Sequence, residues 1–350
     1  MALKLIAYCA GLAAALAIGL TAMGYVQAAQ GLNERAEAAL SSDALVVTTA
    51  IDDWHAQRIS SLQTVARLPS IARLLASEPD PMRAEDEETA RESLAALDPP
   101  GEDVESVVVA DVNGKVVLSN RAEEIGSDIQ LDNDVRGALL EGQPTISAVR
   151  MSSDGSHPVI FHSAAVVDGS GGVLGVIRSR SSVAAIERVV QSAEDRTGAG
   201  AMGTLLDQDG LVLVDSLMPE WLLRPVVPLT PDLAVRLRAR RTLADSAPPA
   251  IGEADLARAI GVHQPILFDW QMHGMHFRAL ARPLTWTPWS YVAALPVATF
   301  DAPAREFLRN AVVAAAIGLL VGTVSVLLFA RSVAKSTPPR HARGAGPGAW

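Results

Sequence analysis

The sequence predicts an α+β protein in which a long N-terminal helix precedes two similar modules, with a transmembrane helix on either side. Three observations predict this fold class. Two apolar segments each reach the roughly 20 residues that a helix needs to cross a bilayer. Apolar residues recur at helical spacing from about Leu32 to Glu78. A β-rich motif occurs twice, which is typical of a duplicated unit.

The two apolar segments predict the membrane topology. The first runs from Leu5 to about Ala28 and the second from Ala311 to Ala330. The stretch VQAAQ loosely resembles a signal-peptide cleavage site, but the apolar run is longer than a signal-peptide core, which favours an uncleaved helix. Basic residues flank the segments at Lys4, Arg331, Lys335, Arg340 and Arg343. The positive-inside rule therefore predicts a two-pass protein of the inner (cytoplasmic) membrane, with both termini cytoplasmic and residues 29–310 outside.

Composition narrows the class of partner and activity. The formal net charge of -10 argues against a polyanionic partner such as nucleic acid. The single cysteine, Cys9, lies in the first predicted span, so no intrachain disulfide can form. The sequence contains neither GxSxG nor HExxH, and we expect no enzymatic activity in this chain, no cofactor and no metal.

The chain divides into six predicted segments. They are the cytoplasmic end and first span (1–28), a long amphipathic helix (29–79), a membrane-distal module (80–197), a membrane-proximal module (198–305), the second span (311–330) and a short basic cytoplasmic tail (331–350). We expect Pro69 to kink or restart the long helix, and a short helix from Pro81 to Leu97. The long helix can form the seam of a homodimer or pack on its own domain, and its two faces allow both.

Each module shows strand-like alternation. DVNGKVVLS begins at Asp111 and DQDGLVLVDS at Asp207, and both place Asp-x-x-Gly before a β-rich run. Asn113-Gly114 and the run from Asp168 to Gly172 are predicted hairpin turns. SVAAIERVVQSAEDR has the pattern of an amphipathic helix.

The second module continues with a helix, a hairpin and a last strand. The helix begins at Thr230 and Pro231, a favoured start. The hairpin is ILFDWQMHGMHFRALARPL and the strand is WSYVAALP.

Several stretches in this order resemble the double Cache sensor domains of bacterial chemoreceptors, histidine kinases and cyclases. They are DWHAQRISSLQTVARLPSIARLL, VVVADVNGKVVLSNRAEEIGSDI, VIFHSAAVVDGSGGVLGVIRSRSSVAAIERVV, GTLLDQDGLVLVDS and WTPWSYVAALPVATF. The resemblance implies a long N-terminal helix, two tandem PAS-like antiparallel-sheet modules and a small-molecule pocket, usually in the membrane-distal module. It also implies that ligand binding displaces the second membrane helix relative to the first.

The resemblance also bears on the ligand. Amino-acid-binding members carry Arg-x-Trp-Tyr on the helix after the first hairpin, where this chain has Asp132, Asp134 and Val135. Arg180 stands where those members have an aspartate that grips the ligand's amino group. These departures argue against amino-acid binding.

We predict instead an anionic ligand, such as a carboxylate, which guanidinium groups bind in a two-pronged fashion. The candidate ligand-binding residues are Arg150, His162, Arg178, Arg180, Asp132 and Asp134. Arg178 and Arg180 are two apart on a predicted strand and so share a face. In the alternative, the arginines are solvated or pair with Asp132 and Asp134.

Three further motifs have simpler interpretations. GAGAMG (198–203) matches a dinucleotide-binding pattern, but it follows a helix and precedes a strand, the reverse of what that site needs; it is interpreted as a connector. MHGMH (272–276) could bind copper, but we favour a plain hairpin turn, with Met272 and His276 on one face. RLRARR (236–241) is a basic helical face, either solvated or in contact with anionic lipid.

The expected function is a membrane-anchored extracytoplasmic sensor of a small molecule. Double Cache proteins often continue into a linker and a kinase, cyclase or methyl-accepting domain. ARSVAKS resembles the start of such a linker, whereas TPPRHARGAGPGAW suits disorder. We therefore expect the input half of a receptor that lacks its effector domain, through a frameshift or because the chain is a fragment. The alternative is a non-enzymatic accessory ligand-binding subunit that acts through a partner membrane protein.

Overall fold

The structure is a computed structural model. It describes residues 2–76, 83–98, 103–129, 133–240, 242–243 and 248–335. The chain divides into two units, one comprising Met1–Ala36 with Ala298–Trp350 and the other comprising Glu37–Val297.

The first unit contains the start of helix α1 (Ala2–Ala66) and most of helix α8 (Val297–Lys335). One helical stretch in the described part of the chain, Leu308–Ser325, is long and apolar enough to cross a membrane. It overlaps the second predicted span, 311–330. The same criterion does not identify the first predicted span, Leu5 to about Ala28, and that span stays a prediction.

The second unit begins with three helices. Helix α1 ends at Ala66, and α2 (Pro69–Leu75) restarts at a proline, where the missing N–H costs no helical hydrogen bond. The predicted effect of Pro69 is thereby confirmed as a restart. Helix α3 (Arg83–Ala95) lies within the predicted Pro81–Leu97, of which residues 81–82 fall outside the described residues.

Sheet 1 follows these helices. Its elements are β1 (Val104–Asp111), β2 (Val116–Ser119), the helix α4 (Asn133–Glu141), β3 (Thr145–Ile146), β4 (Arg150–Met151), β5 (Pro158–Val167) and β6 (Val173–Ser182). The antiparallel strand order is β2-β1-β6-β5-β3, and β4 pairs with β5. Side chains of α1, α2 and α3, including Leu62, Ile71 and Leu94, form the core on one face. Val135 and Ala138 of α4 pack on the other face.

Sheet 2 repeats this arrangement. Its elements are α5 (Ala184–Gln191), α6 (Ala193–Thr197), β7 (Met202–Leu206), β8 (Val212–Asp215), α7 (Pro231–Ala239), β9 (Ile266–Met272), β10 (Met275–Pro283) and β11 (Ser290–Pro296). The antiparallel order β8-β7-β11-β10-β9 has the same connectivity as sheet 1. Two tandem antiparallel sheets were predicted, and the structure confirms them. Helix α5 packs against β7 and β8, although its residues were predicted to belong to the first module, 80–197.

The repeated Asp-x-x-Gly motif builds the same turn in both sheets. The Asp111 carboxylate accepts hydrogen bonds from the backbone N–H groups of residues 113 and 115, both at 2.9 Å. The Asp207 carboxylate does the same for residues 209 and 211, at 2.9 and 2.8 Å. Gly114 and Gly210 adopt φ angles of 87° and 80°, which favour glycine. The internal repeat therefore reflects one local structure used twice.

Two other motifs can be placed in the fold. GAGAMG joins α6 to β7, as the connector interpretation predicts. In MHGMH, His273 and Gly274 form the turn between β9 and β10, with φ angles of 50° and 78°. Met272 pairs with Met275, and His276 pairs with Gln271. The prediction that Met272 and His276 share a face was wrong, because a two-residue turn makes residues three apart direct cross-strand partners.

Gly175 of β6 lies where the backbone of β1 approaches closely. A Cβ atom there would lie 2.2 Å from the carbonyl oxygen of Ala110 and 2.9 Å from the Leu75 side chain. We expect Gly175→Ala to destabilise the protein by about 1–3 kcal/mol, since the sheet must shift to accept the methyl group. Urea unfolding of the full chain measures this. Gly169→Ala is the control, because no atom lies within 4 Å of that Cβ position; equal effects of the two would contradict the prediction.

Candidate ligand-binding site

A buried ion pair joins β6 to α4. The Arg178 guanidinium lies 3.1 Å from the Asp134 carboxylate, and the two side chains are 5% and 4% exposed. The Ser163 hydroxyl donates to the same carboxylate at 3.3 Å. Asp134 lies in the first turn of α4, where the helix dipole favours a negative charge. The structure therefore contains one of the pairings that the sequence left open, an arginine with Asp134.

Two guanidinium groups lie over the aromatic ring of Phe161 on β5. The Cζ atoms of Arg178 and Arg150 lie 4.0 and 4.2 Å from the centroid of its ring. An arginine over an aromatic face is attracted by the ring's quadrupole. Arg150, Phe161, Arg178 and Asp134 are called the arginine cluster below. Arg178 and Asp134 are buried and Arg150 and Phe161 are half-buried, so the cluster is partly shielded from water and one of its guanidinium groups meets a carboxylate.

Arg180 lies on the same face of sheet 1 as Arg178, as predicted, because it is directly opposite Phe161 in the β5–β6 register. It has different partners. Its guanidinium lies 2.9 Å from the Glu105 carboxylate and 3.7 Å from that of Glu124. Glu105 also contacts His157. Two carboxylates therefore balance the charge of Arg180.

His162 lies on the opposite face of sheet 1 from the arginines. It falls between Phe161 and Ser163 on β5, and alternation turns it towards α1. Its Nε2 lies 3.0 Å from Nδ1 of His55 on α1. The structure therefore does not bring His162 together with Arg150, Arg178 and Arg180. Asp132, also predicted for the site, lies outside the described residues.

The two histidines are fully buried among aromatic rings. Trp54 lies edge-on to both, and Trp289 of the second module lies 5.4 Å from His55 between ring centroids. Burial lowers the pKa of His55 to about 4. Burial, and then the charges of His55 and Arg58, hold the pKa of His162 well below its ordinary value. The pair is therefore neutral near pH 7.

Helix α1 is also held by the second module. The Asp43 carboxylate accepts a hydrogen bond from the Tyr291 hydroxyl at 2.8 Å and pairs with Arg196. Burial and the charge of Asp43 raise the pKa of Tyr291 well above its ordinary value, so its hydroxyl stays protonated and donates. The Asp52 carboxylate accepts from the backbone N–H groups of residues 285 and 286 at 3.0 and 3.1 Å.

Sequence reasoning missed His55 and these aspartates. No sequence motif marks these residues, and only their positions along α1 could have indicated them. His55 lies four residues after Ile51 and four before Ile59, on the buried stripe of α1, so a polar residue there must find a partner.

Comparison with solved structures identifies the fold. The sensor domain of the V. cholerae histidine kinase DctB aligns with a TM-score of 0.57 and 16% identity, covering 77% of this chain and 98% of that chain. The sensory domain of the Campylobacter jejuni chemoreceptor Tlp3 gives 0.54 and 14%, covering 78% and 98%. The ligand-binding domain of the Pseudomonas aeruginosa PAO1 amino acid chemoreceptor PctC, in complex with GABA, gives 0.50 and 15%, covering 73% and 97%.

These neighbours confirm the predicted resemblance to double Cache sensor domains at the level of the fold. No protein-family model matches the chain, and no curated protein matches its sequence.

Proposed function

We propose that residues 37–297 sense a small molecule outside the cytoplasmic membrane and that α1 and α8 carry the signal across it. The observation that carries this proposal is the placement of α1. The helix is bonded to the first module through His55 and to the second module through Asp43 and Asp52. Strand β11 of the second module runs directly into α8. A change in either module therefore acts on a helix that leaves the sensor.

The proposed topology is a two-pass protein with both termini in the cytoplasm. Apolar side chains at least half exposed along both helices support membrane anchoring, because such surfaces suit lipid better than water. They include Leu16, Leu20 and Met23 on α1 and Ile317, Leu320 and Val321 on α8.

The proposed assembly is a homodimer. Leu45 and Val46 of α1 are 48% and 51% exposed, and their neighbours Asp43 and Val47 are buried. An apolar pair on the solvent side of a long helix supports its use as a seam between two copies.

The proposed ligand is a small carboxylate that enters the arginine cluster. Removing a carboxylate from water is costly unless hydrogen-bonding cations replace the water, and Arg150 and Arg178 supply such cations. The PctC domain in the comparison binds GABA, and a Tlp3 domain binds isoleucine. At the position matched to the amine-gripping aspartate, this chain has Arg180, which supports a ligand without an amino group there.

The proposed mechanism is a shift between two packings. A ligand carboxylate beside Arg178 competes with Asp134, which belongs to α4. The ligand then favours any packing of α4 and sheet 1 in which its own carboxylate is better held. Because β5 contacts α1 through His162, that change reaches the helix.

A thermal-shift screen of the full chain in lipid nanodiscs tests the proposal. Its panel contains small mono- and dicarboxylates, amino acids and amines. We expect one or more carboxylates without an amino group to raise the Tm, and Arg150→Glu to abolish that rise. Lys115→Glu is the matched control, because Lys115 is an exposed cation of the same module. Stabilisation only by amines, or a carboxylate effect that survives Arg150→Glu, would contradict the proposed site.

A further inference from the structure

A pocket lies at one end of sheet 2, in the module that does not contain the arginine cluster. It has a volume of about 620 Å³ and is lined by the β7–β8 turn, the segment before β9 and the β10–β11 loop. The strand register brings these connections together, because Leu206 of β7 pairs with Ser290 and Ile266 of β9 pairs with Ala281. This cavity is called the sheet 2 pocket below. Its lining includes no residue of the arginine cluster.

Much of the wall of the sheet 2 pocket is apolar. Trp289 and Leu284, which are 3% and 8% exposed, line its buried side. The half-buried Val262 and Pro283 also line it. Small-molecule sites of this volume combine such surfaces with a few polar groups. The wall therefore suits an apolar group of a ligand, such as an aromatic ring.

Arg282, near the end of β10, gives the sheet 2 pocket a positive charge. Its side chain is half-buried, and in the part of the chain that the structure describes no hydrogen bond or ion pair joins its guanidinium to another residue. The described residues that line the pocket include no carboxylate. Asp52 of α1 reaches the β10–β11 loop, but its carboxylate accepts hydrogen bonds from the backbone there. Because removing a cation from water is costly unless it is paired, an anionic group beside Arg282 would be stabilised.

The β10–β11 loop is held in place by α1. The Asp52 carboxylate binds the backbone N–H groups of residues 285 and 286 at 3.0 and 3.1 Å. The ring of Trp289 lies 5.4 Å from that of His55 between centroids. Binding to a wall that is already ordered loses less conformational entropy than binding to a mobile one. The sheet 2 pocket is therefore preorganised on the side that carries its apolar surface.

We propose that the sheet 2 pocket binds a small monocarboxylate with an apolar body, such as an arylacetic acid. The guanidinium of Arg282 would hold the carboxylate, and Trp289 and Leu284 would cover the apolar body, whose removal from water favours binding. Gln208 and His263 carry further N–H donors in the lining. Arg282 disfavours a cationic ligand, and a compact polyanion would meet one guanidinium and leave the apolar wall uncovered. The inference goes beyond the proposed function and does not rest on it.

Calorimetric titration of the full chain in lipid nanodiscs tests the inference, with phenylacetate as the probe and the heat of empty nanodiscs subtracted. We expect saturable binding of phenylacetate. Phenylacetamide has the same shape without the charge, and acetate has the charge without the ring. Each is expected to bind at least about tenfold more weakly, because each lacks one of the two recognised groups.

Arg282→Gln is the variant that tests the site, and it is expected to weaken phenylacetate binding at least about tenfold. Arg238→Gln is the matched control. It removes the same charge from the same module, but Arg238 is exposed on α7 and does not line the pocket. Arg238→Gln is expected to bind phenylacetate as the unchanged protein does.

Three results would overturn the inference. They are the absence of saturable phenylacetate binding, phenylacetamide binding as tightly as phenylacetate, and equal binding of phenylacetate by Arg282→Gln and Arg238→Gln. The first two are measured on the unchanged protein and so do not depend on the folding of a variant. Repeating the carboxylate screen in Arg282→Gln removes any contribution of the sheet 2 pocket to the thermal shift. Failure of the pocket is therefore distinguishable from failure of the arginine cluster.

Discussion

Replacing Asp134 with alanine is expected to destabilise the protein by about 3 kcal/mol, because breaking a buried ion pair leaves a charge poorly compensated in a dry environment. Both partners are at most 5% exposed, and their atoms lie 3.1 Å apart. Urea unfolding of the full chain, followed by tryptophan fluorescence, measures the change in the free energy of unfolding.

The control for Asp134 is Asp269→Ala. Asp269 pairs with Arg278 at 2.9 Å but is 77% exposed, so we expect a change of less than about 1 kcal/mol. Replacing both buried partners, Asp134→Ala with Arg178→Met, is expected to recover much of the lost stability. Equal effects of Asp134→Ala and Asp269→Ala, or a double variant as unstable as the sum of the single ones, would contradict the buried pair.

The second large effect is expected from acid, through the histidine pair. His55 has an ordinary pKa of 6.5, which burial lowers to about 4. Between these values the unfolded chain binds a proton that the folded chain does not, so stability falls as the pH drops from 6.5 towards 4. At pH 5, His55 alone is expected to account for a loss of about 2 kcal/mol relative to pH 8. The lowered pKa of His162 adds to the loss in the same direction.

Two buried aspartates act in the opposite direction. Burial raises the pKa of Asp207 to about 7 and that of Asp215 to about 6. Their protonated forms are favoured in the folded state, so their contribution to stability falls as the pH rises from the unfolded value of 3.8 towards those values. The histidine effect is therefore measured as the difference in pH dependence of the unfolding free energy between the unchanged protein and a variant.

The double variant His55→Leu/His162→Leu isolates the histidine effect. Unfolding free energies at pH 5 and pH 8 are expected to show that this variant loses at least about 2 kcal/mol less on acidification than the unchanged protein. The exposed His273, replaced by glutamine, is the control and should leave the pH dependence unchanged. An identical pH dependence in the double variant would show that the pair does not stay neutral on folding.

Much of the fold could be predicted from local patterns. The Asp-x-x-Gly repeat at Asp111 and Asp207 and the turn at Asn113-Gly114 depend on neighbours in sequence, and the structure places them as predicted. The shared face of Arg178 and Arg180 follows from strand alternation alone. Pro69 restarted the helix because proline has no N–H to donate.

The candidate site was harder to predict because it depends on contacts between distant elements. Arg178 and Arg180 share a face, yet one meets Asp134 on α4 and the other meets Glu105 on β1. Alternation alone could not separate His162 from both arginines, because His162 lies on β5 and the arginines lie on β6. Which residues face each other across the two strands depends on the turn between them, and the structure pairs His162 with Ser179. His55 carries no motif, and only packing against β5 identifies its partner.

The surroundings of RLRARR were not predicted for a related reason. RLRARR was interpreted as a solvated or lipid-facing stretch because its neighbours in space were unknown. The net charge of the chain argued against a polyanionic partner such as nucleic acid, whereas the contacts of single residues, such as Arg240 with Asp209, depend on the local arrangement.

The distance between α1 and α8 tests the central claim most directly. Spin labels at Val26→Cys on α1 and Val312→Cys on α8, in a chain carrying Cys9→Ser, would occupy positions that are 50% and 54% exposed. Pulsed electron paramagnetic resonance in nanodiscs gives the distance distribution with and without a stabilising carboxylate. The account predicts that saturating ligand shifts this distribution, and that Arg150→Glu prevents the shift. An unchanged distribution at full occupancy would contradict transmission of ligand binding through these helices.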